Sequence, residues 1–178
     1  MSVYYETHCP DSKAFLLDQL IPAYRDLSSI VNVQLFPYGK ASYERTSSNE
    51  LKFYCQHGPC ECKGNTQQAC ALDMYPIDKV IPFVECMEKS GLPDTVVESC
   101  ARSSDLDATK ITQCADGAKG KELLLKMGQA TESLNPKAHF VPWININGAH
   151  TDDNQRDSLT NLKRVICTSY KGTHDKCK

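Results

Sequence analysis

The chain has 178 residues, a formal net charge of −2 and 40% hydrophobic content, so it is globular, with room for one domain or one domain carrying an insertion. Its basic residues are scattered, which excludes a nucleic-acid groove, and no apolar run approaches the length that spans a membrane. Ten cysteines point to an oxidising compartment and a disulfide framework, and hence to the secretory pathway.

The chain opens at Met1 directly in a β-prone run, Ser2-Val3-Tyr4-Tyr5, so a mature form with its targeting segment missing is expected. No Asn-x-Ser/Thr sequon is present, and N-glycosylation is not assumed. The run leads into Glu6-Thr7-His8-Cys9-Pro10-Asp11-Ser12-Lys13, after which Leu16, Leu17, Leu20, Ile21 and Tyr24 recur at helical spacing. Cys9 therefore stands between a strand and a helix. Unpaired amide N–H groups and the positive end of the helix dipole stabilise a thiolate at such a position. Pro10 suits the first turn, where its missing N–H costs nothing. The other reading of Cys9 is a buried or disulfide-bonded structural cysteine; its position favours the reactive thiol. His8 could assist when protonated or be an exposed spectator. This is the layout of a Cys-x-x-Cys nucleophile with one departure: Ser12 stands where the second cysteine would.

Pro22 is expected to kink this helix or end its regular part. Val31, Val33 and Leu35 alternate with polar residues as a half-buried strand running out at Phe36-Pro37-Tyr38-Gly39. Strand, helix, strand in this order gives a right-handed parallel pair, with the Cys9 loop at the carboxyl end of the first strand. From Lys40 the character changes. Residues 41–50 read as polar loop, and 55–70 as cysteine-dense and too irregular for a long element. Helices are expected around Ile77–Met87, with Pro82 weakening the middle, around Val96–Ala101, and around Ile111–Cys114. Regular patterning returns with a helix from Leu123 to Leu134, ended by Asn135-Pro136. Phe140 to Ile146 reads as a strand, Asn147-Gly148 as a hairpin turn, and Leu159–Ile166 as a last helix with Asp152 or Asp153 as its N-cap. The fold class is α/β: a thioredoxin-like domain over 1–39 and 121–178, interrupted by a disulfide-stapled helical insertion over 40–120. Pro142 at a strand entry would suit a cis Val141-Pro142 bond beside the nucleophile, the alternative being an ordinary trans proline.

The most specific motif is Cys55-Gln56-His57-Gly58-Pro59-Cys60-Glu61-Cys62-Lys63-Gly64-Asn65, followed by Cys70. It resembles the signature of the gamma-interferon-inducible lysosomal thiol reductase family. The fixed positions of that signature are filled by Cys55, Gln56, His57, Gly58, Glu61, Cys62, Asn65 and Cys70. Val3 to Glu6, Val33 to Gly39, Cys86-Met87-Glu88, Val141-Pro142-Trp143 and Asn147-Gly148 extend the resemblance over nearly the whole chain. It implies a thiol–disulfide reductase of secretory, extracellular or lysosomal compartments that acts on disulfide-bonded proteins. A small free thiol would be its electron source, with no cofactor. By that correspondence Cys9 is the nucleophile and Pro142 the cis proline beside it.

Ser12 cannot resolve a mixed disulfide, although its hydroxyl can donate to a Cys9 thiolate. Setting aside Cys9 and Cys60 leaves Cys55, Cys62, Cys70, Cys86, Cys100, Cys114, Cys167 and Cys177, an even set that can pair fully in any of 105 ways. Cys60 is thus a candidate resolving thiol, against the plainer reading that it pairs within its own loop or stays free. A zinc site from Cys55, His57, Cys60 and Cys62 is not expected, because the spacings are tight and the oxidising context favours disulfides. Two functions stand: a reductase working through the single Cys9, and a redox-inactive protein-binding factor on the same scaffold, for which the loss of the resolving thiol argues.

Overall fold

A computed structural model describes residues 1–178. Strand β1 (Ser2–Tyr5) leads to helix α1 (Pro10–Phe15), which continues through a π-helical turn, Leu16–Leu20, into α2 (Ile21–Leu27). Pro22 does not end this helix. It lacks an N–H and its ring would crowd the carbonyl one turn back, and the wider π turn lies in that stretch. Leu16, Leu20, Ile21 and Leu27 are buried along the inner face. Strand β2 (Gln34–Pro37) then pairs parallel with β1, Val3 opposite Leu35. It begins at Gln34, not at Val31.

Two expectations for the middle of the chain need correction. Residues 41–50 are not all loop: β3 (Ser42–Arg45) pairs antiparallel with β4 (Leu51–Tyr54) as a hairpin. Tyr43 and Phe53 stand opposite one another, their ring centroids 6.1 Å apart, and pack on a small cluster of Tyr38, Ala41 and Leu124. The cysteine-dense stretch is not irregular either, because α3 (Pro59–Met74) is one long helix. Pro59 starts it at a position that needs no N–H, and Gly58, at φ 86°, turns the chain into it.

Helices α4 (Ile77–Lys89), α5 (Val97–Ser103), α6 (Ala108–Asp116) and α7 (Ala118–Glu132) follow. Helix α7 starts earlier than its apolar spacing suggests, and Gly120 lets its first turns approach α6, where a Cβ would lie 2.5 Å from the Cys114 carbonyl oxygen. Strand β5 (Trp143–Asn145) pairs antiparallel with β1, which gives the sheet order β2-β1-β5. Asn147 and Gly148, at φ 51° and 83°, make the expected turn, but the returning strand is reduced to one bridge between Ile146 and Ala149. Helix α8 (Asp152–Ser169) is capped by Thr151, whose side chain accepts from Asn154 N, and not by Asp152 or Asp153.

The chain is a mixed α/β protein whose parallel β1–β2 pair and antiparallel β5 are consistent with a thioredoxin-like centre. One core cluster of 30 buried residues joins that centre to the helices between, with Val3, Tyr5, Phe15 and Ile144 in contact with the set that includes Val80, Phe83, Met87 and Ile111. Four disulfides bind the framework: Cys55–Cys62, Cys70–Cys114, Cys86–Cys100 and Cys167–Cys177. No helix is long and apolar enough to cross a membrane.

Candidate active site

Cys9 is the N-cap of α1 and is buried, at 8% exposure. Its carbonyl accepts from Lys13 N at 3.0 Å, while its side chain makes no capping hydrogen bond and is left beside the free N–H groups of the first turn. Ser12, one turn on, is fully buried, and its hydroxyl oxygen accepts from Glu6 N at 3.4 Å. That leaves its one hydrogen free to donate. The register of β1 against β5 places Pro142 opposite Tyr5, at the end of the sheet where β1 opens into the Cys9 loop. The Val141–Pro142 peptide bond is cis. Gln155, which the sequence did not mark, fixes this segment from α8: its amide donates to Pro142 O at 2.9 Å and accepts from Ile144 N at 3.0 Å.

The Cys55–Cys70 motif forms the floor and one wall of the loop. Asn65 Oδ1 accepts from Thr7 N at 3.0 Å, and the Thr7 hydroxyl donates to Glu61 O at 3.3 Å. Gly64 permits the approach, since a Cβ there would stand 2.7 Å from Thr7 Oγ1. Just upstream, the buried Glu6 carboxylate accepts from Lys40 N at 2.6 Å and lies 3.6 Å from His57 Nδ1. His57 Nδ1 is 2.5 Å from Glu61 Oε2, and its backbone N–H donates to Glu61 Oε1 at 3.1 Å. Gln56, with its amide nitrogen turned toward Glu6, bridges Glu6 Oε2 at 3.2 Å and Lys40 Nζ at 3.1 Å. Burial pushes the Glu6 carboxyl above its usual range, with the Lys40 backbone hydrogen bond opposing. Cys62 and Cys70 anchor this helix through their disulfides to Cys55 and Cys114.

Glu6, His57 and Glu61 could each offer one atom to a metal ion within 4.8 Å of one another. The imidazole Nδ1 is already engaged by Glu61. Of the four residues weighed for zinc, Cys55 and Cys62 are oxidised to each other, which removes both as thiolate ligands.

Cys60 and Cys9 are both free and are not joined to each other. Cys60 is exposed in the first turn of α3, beside Asp94, whose negative charge pushes its thiol above the ordinary value. Asp94 is itself buried, with Oδ1 3.2 Å from His8 Nε2, an ion-pair distance without hydrogen-bond alignment. His8 is thus largely enclosed and paired, not an exposed spectator. The geometry offers one enclosed thiol over a helix N-terminus, a buried hydroxyl one turn away, and a second thiol that a carboxylate holds protonated.

Comparison with known proteins shows what the chain is similar to. The sequence model of the family described as "Gamma interferon inducible lysosomal thiol reductase (GILT)" matches residues 1–104. The gamma-interferon-inducible lysosomal thiol reductase of Carassius auratus is 37% identical over 174 residues, covering 97% of this chain and 68% of that protein. A gamma-interferon-responsive lysosomal thiol protein of Arabidopsis thaliana is 36% identical, covering 97% of this chain and 71% of its own length. The thiol reductase of that name from Mus musculus is 31% identical, covering 97% and 68%.

Proposed function

The chain belongs to the gamma-interferon-inducible lysosomal thiol reductase family, and on that premise we propose that it reduces disulfides of protein substrates through Cys9 alone. The observation that carries this reading is the state of the cysteines. Eight are consumed in disulfides, and Cys9 is left free at the N-cap of α1 with its side chain uncommitted.

The Cys9 thiolate attacks one sulfur of a substrate disulfide. A Cys9–substrate disulfide forms and the other substrate sulfur leaves as a thiolate, which takes a proton from solvent. The Ser12 hydroxyl has a hydrogen free to donate to a thiolate but cannot displace the bound substrate. A small external thiol attacks the mixed disulfide as its thiolate and a second thiol completes the exchange. Two small thiols are oxidised to their disulfide for each substrate disulfide reduced. Cys60 is the other free thiol. Asp94 beside it disfavours the thiolate that such an attack needs, so release by the external thiol is the main route. The four disulfides and the lysosomal relatives support a place in the secretory pathway, lysosomal or extracellular.

The test is turnover of a disulfide-bonded protein with excess small thiol, at acidic and neutral pH. Wild type should exceed the thiol alone. Cys9→Ala should fall to the thiol's own rate while its circular dichroism is unchanged. Cys60→Ala should keep most of the activity. A wild-type rate no better than the thiol alone would sink the reductase reading and leave a protein-binding role for the scaffold.

A further inference from the structure

Beside the Cys9 loop lies a groove of about 420 Å³ that the reaction steps above do not use. One wall is the outer face of the first helix, where Asp11, Ala14 and Asp18 follow one another at helical spacing. The other is Phe140, Val141 and Pro142, with Leu159 of α8 closing one end. Asp11 is two residues past Cys9 and Pro142 stands at the active end of the sheet, so a chain in the groove leads to the nucleophile.

Three observations describe what would fit. The floor is apolar: Phe15 lies beneath, Phe140 and Val141 are half-exposed, and Leu159 is 43% exposed where most large apolar side chains are covered. The rim is acidic without compensation. Neither Asp11 nor Asp18 appears in any ion pair, no lysine, arginine or histidine lines the groove, and the nearby Arg156 is held by Asp153 and Asp157. The wall offers backbone. The N–H and C=O of Val141 make no backbone hydrogen bond within the chain, whereas the next carbonyl, of Pro142, is taken by Gln155. An extended segment can pair with such a free peptide edge.

We propose that this groove binds the extended stretch of a substrate polypeptide next to its reactive cysteine. It selects a segment that carries an apolar side chain and a lysine or arginine. The spacing follows from the wall: Asp18 lies seven helical positions beyond Asp11, about 10 Å along the axis. An extended chain covers that in about three residues. A basic side chain within three positions of the apolar one therefore reaches an unpaired carboxylate while the apolar one rests on Phe140 and Leu159. The proposal rests on the reductase reading for its chemistry, but binding can be measured without it.

The experiment uses full-length Cys9→Ala protein and two fluorescent decapeptides, each with an S-methylated cysteine and a leucine beside it. One has arginine three positions further on and the other has glutamate there. Anisotropy at low salt should show the arginine peptide bound about three- to tenfold more tightly, as one or two exposed charge contacts supply. That preference should shrink in 0.5 M salt and largely vanish when Asp11→Asn and Asp18→Asn are added. Equal affinities, no binding of either peptide, or a preference that survives both substitutions would overturn it. The two readings fail separately. Aspartate-dependent binding with no turnover by wild-type protein removes the reductase and keeps the groove, and turnover without charge preference does the reverse.

Discussion

Gly64 is the point at which the signature helix meets the active loop, and it shows how one missing side chain can hold a nucleophile in place. A methyl group there would stand 2.7 Å from Thr7 Oγ1 and 3.3 Å from Thr7 Cβ, and Thr7 is itself tied to Asn65 and to Glu61 O. Alanine in a helix interior is intrinsically better than glycine by about 1 kcal/mol. Overpacking a buried contact costs about 1–3 kcal/mol. The steric cost wins because a β-branched threonine bonded on two sides cannot swing away. Gly64→Ala should therefore lower unfolding free energy by up to about 2 kcal/mol in urea titrations. It should also depress disulfide turnover, because the displaced Thr7 lies two residues before Cys9. Unchanged turnover would mean that the loop is positioned by other contacts.

At the level of elements, what was legible in the sequence followed the apolar periodicity. The strand and helix around Cys9, α4, and the end of α7 announce themselves by Val3, Leu16, Val84 or Leu124 at regular spacing, and each of these is buried. The eight residues set aside as an even cysteine set could be named but not paired, because spacing alone does not choose among connectivities. Helix α3 was illegible for a physical reason. It is enclosed on several sides, yet its buried positions are Glu61, Gly64, Asn65, Thr66, Gln67, Gln68, Ala69, Cys70 and Ala71. Small residues let neighbours approach, and the polar ones reach partners beyond the helix: Asn65 to Thr7, Gln67 to Asp94 O, Gln68 to Tyr5 and Glu88. The β3–β4 hairpin was missed because only Tyr43 and Phe53 supply its apolar contact. Since α3 has little oily surface of its own, its covalent staple carries more of the load. Cys70–Cys114 closes 44 residues and Cys55–Cys62 only 7. Loop-closure entropy then assigns about 4 kcal/mol to the first and about 2 kcal/mol to the second. Replacing Cys70 and Cys114 together by alanine should lower the urea midpoint clearly more than replacing Cys55 and Cys62. The reverse order would show that local packing around the signature loop outweighs chain entropy.

Across the whole molecule, burial of acidic groups sets the pH at which the fold is tightest. Glu88 has no exposed surface: Oε1 accepts from Gln68 Nε2 at 2.7 Å, and Oε2 has no partner. Burial pushes its carboxyl up to about 8, against the Gln68 hydrogen bond and the Lys13 charge, which pull the other way. Glu6 shifts in the same direction for the same leading cause. In the unfolded chain such a carboxyl titrates near 4.5. Between those two values the folded state binds more protons than the unfolded one, so stability falls as pH rises. The contribution is fully present below about 4.5 and is lost as pH climbs through about 8, at up to about 1.4 kcal/mol per unit. The fold should therefore be more stable at pH 5 than at pH 8, by up to a few kcal/mol, in keeping with the acidic end of the secretory pathway. Glu88→Gln keeps an acceptor for Gln68 without a titratable proton. It should remove most of that slope and raise stability at pH 8 while changing little at pH 5. Guanidinium unfolding of both proteins at the two pH values measures this. A wild type equally stable at both would mean that the Glu88 carboxyl ionises in the folded state as readily as in the unfolded chain, with Lys13 as its counter-charge.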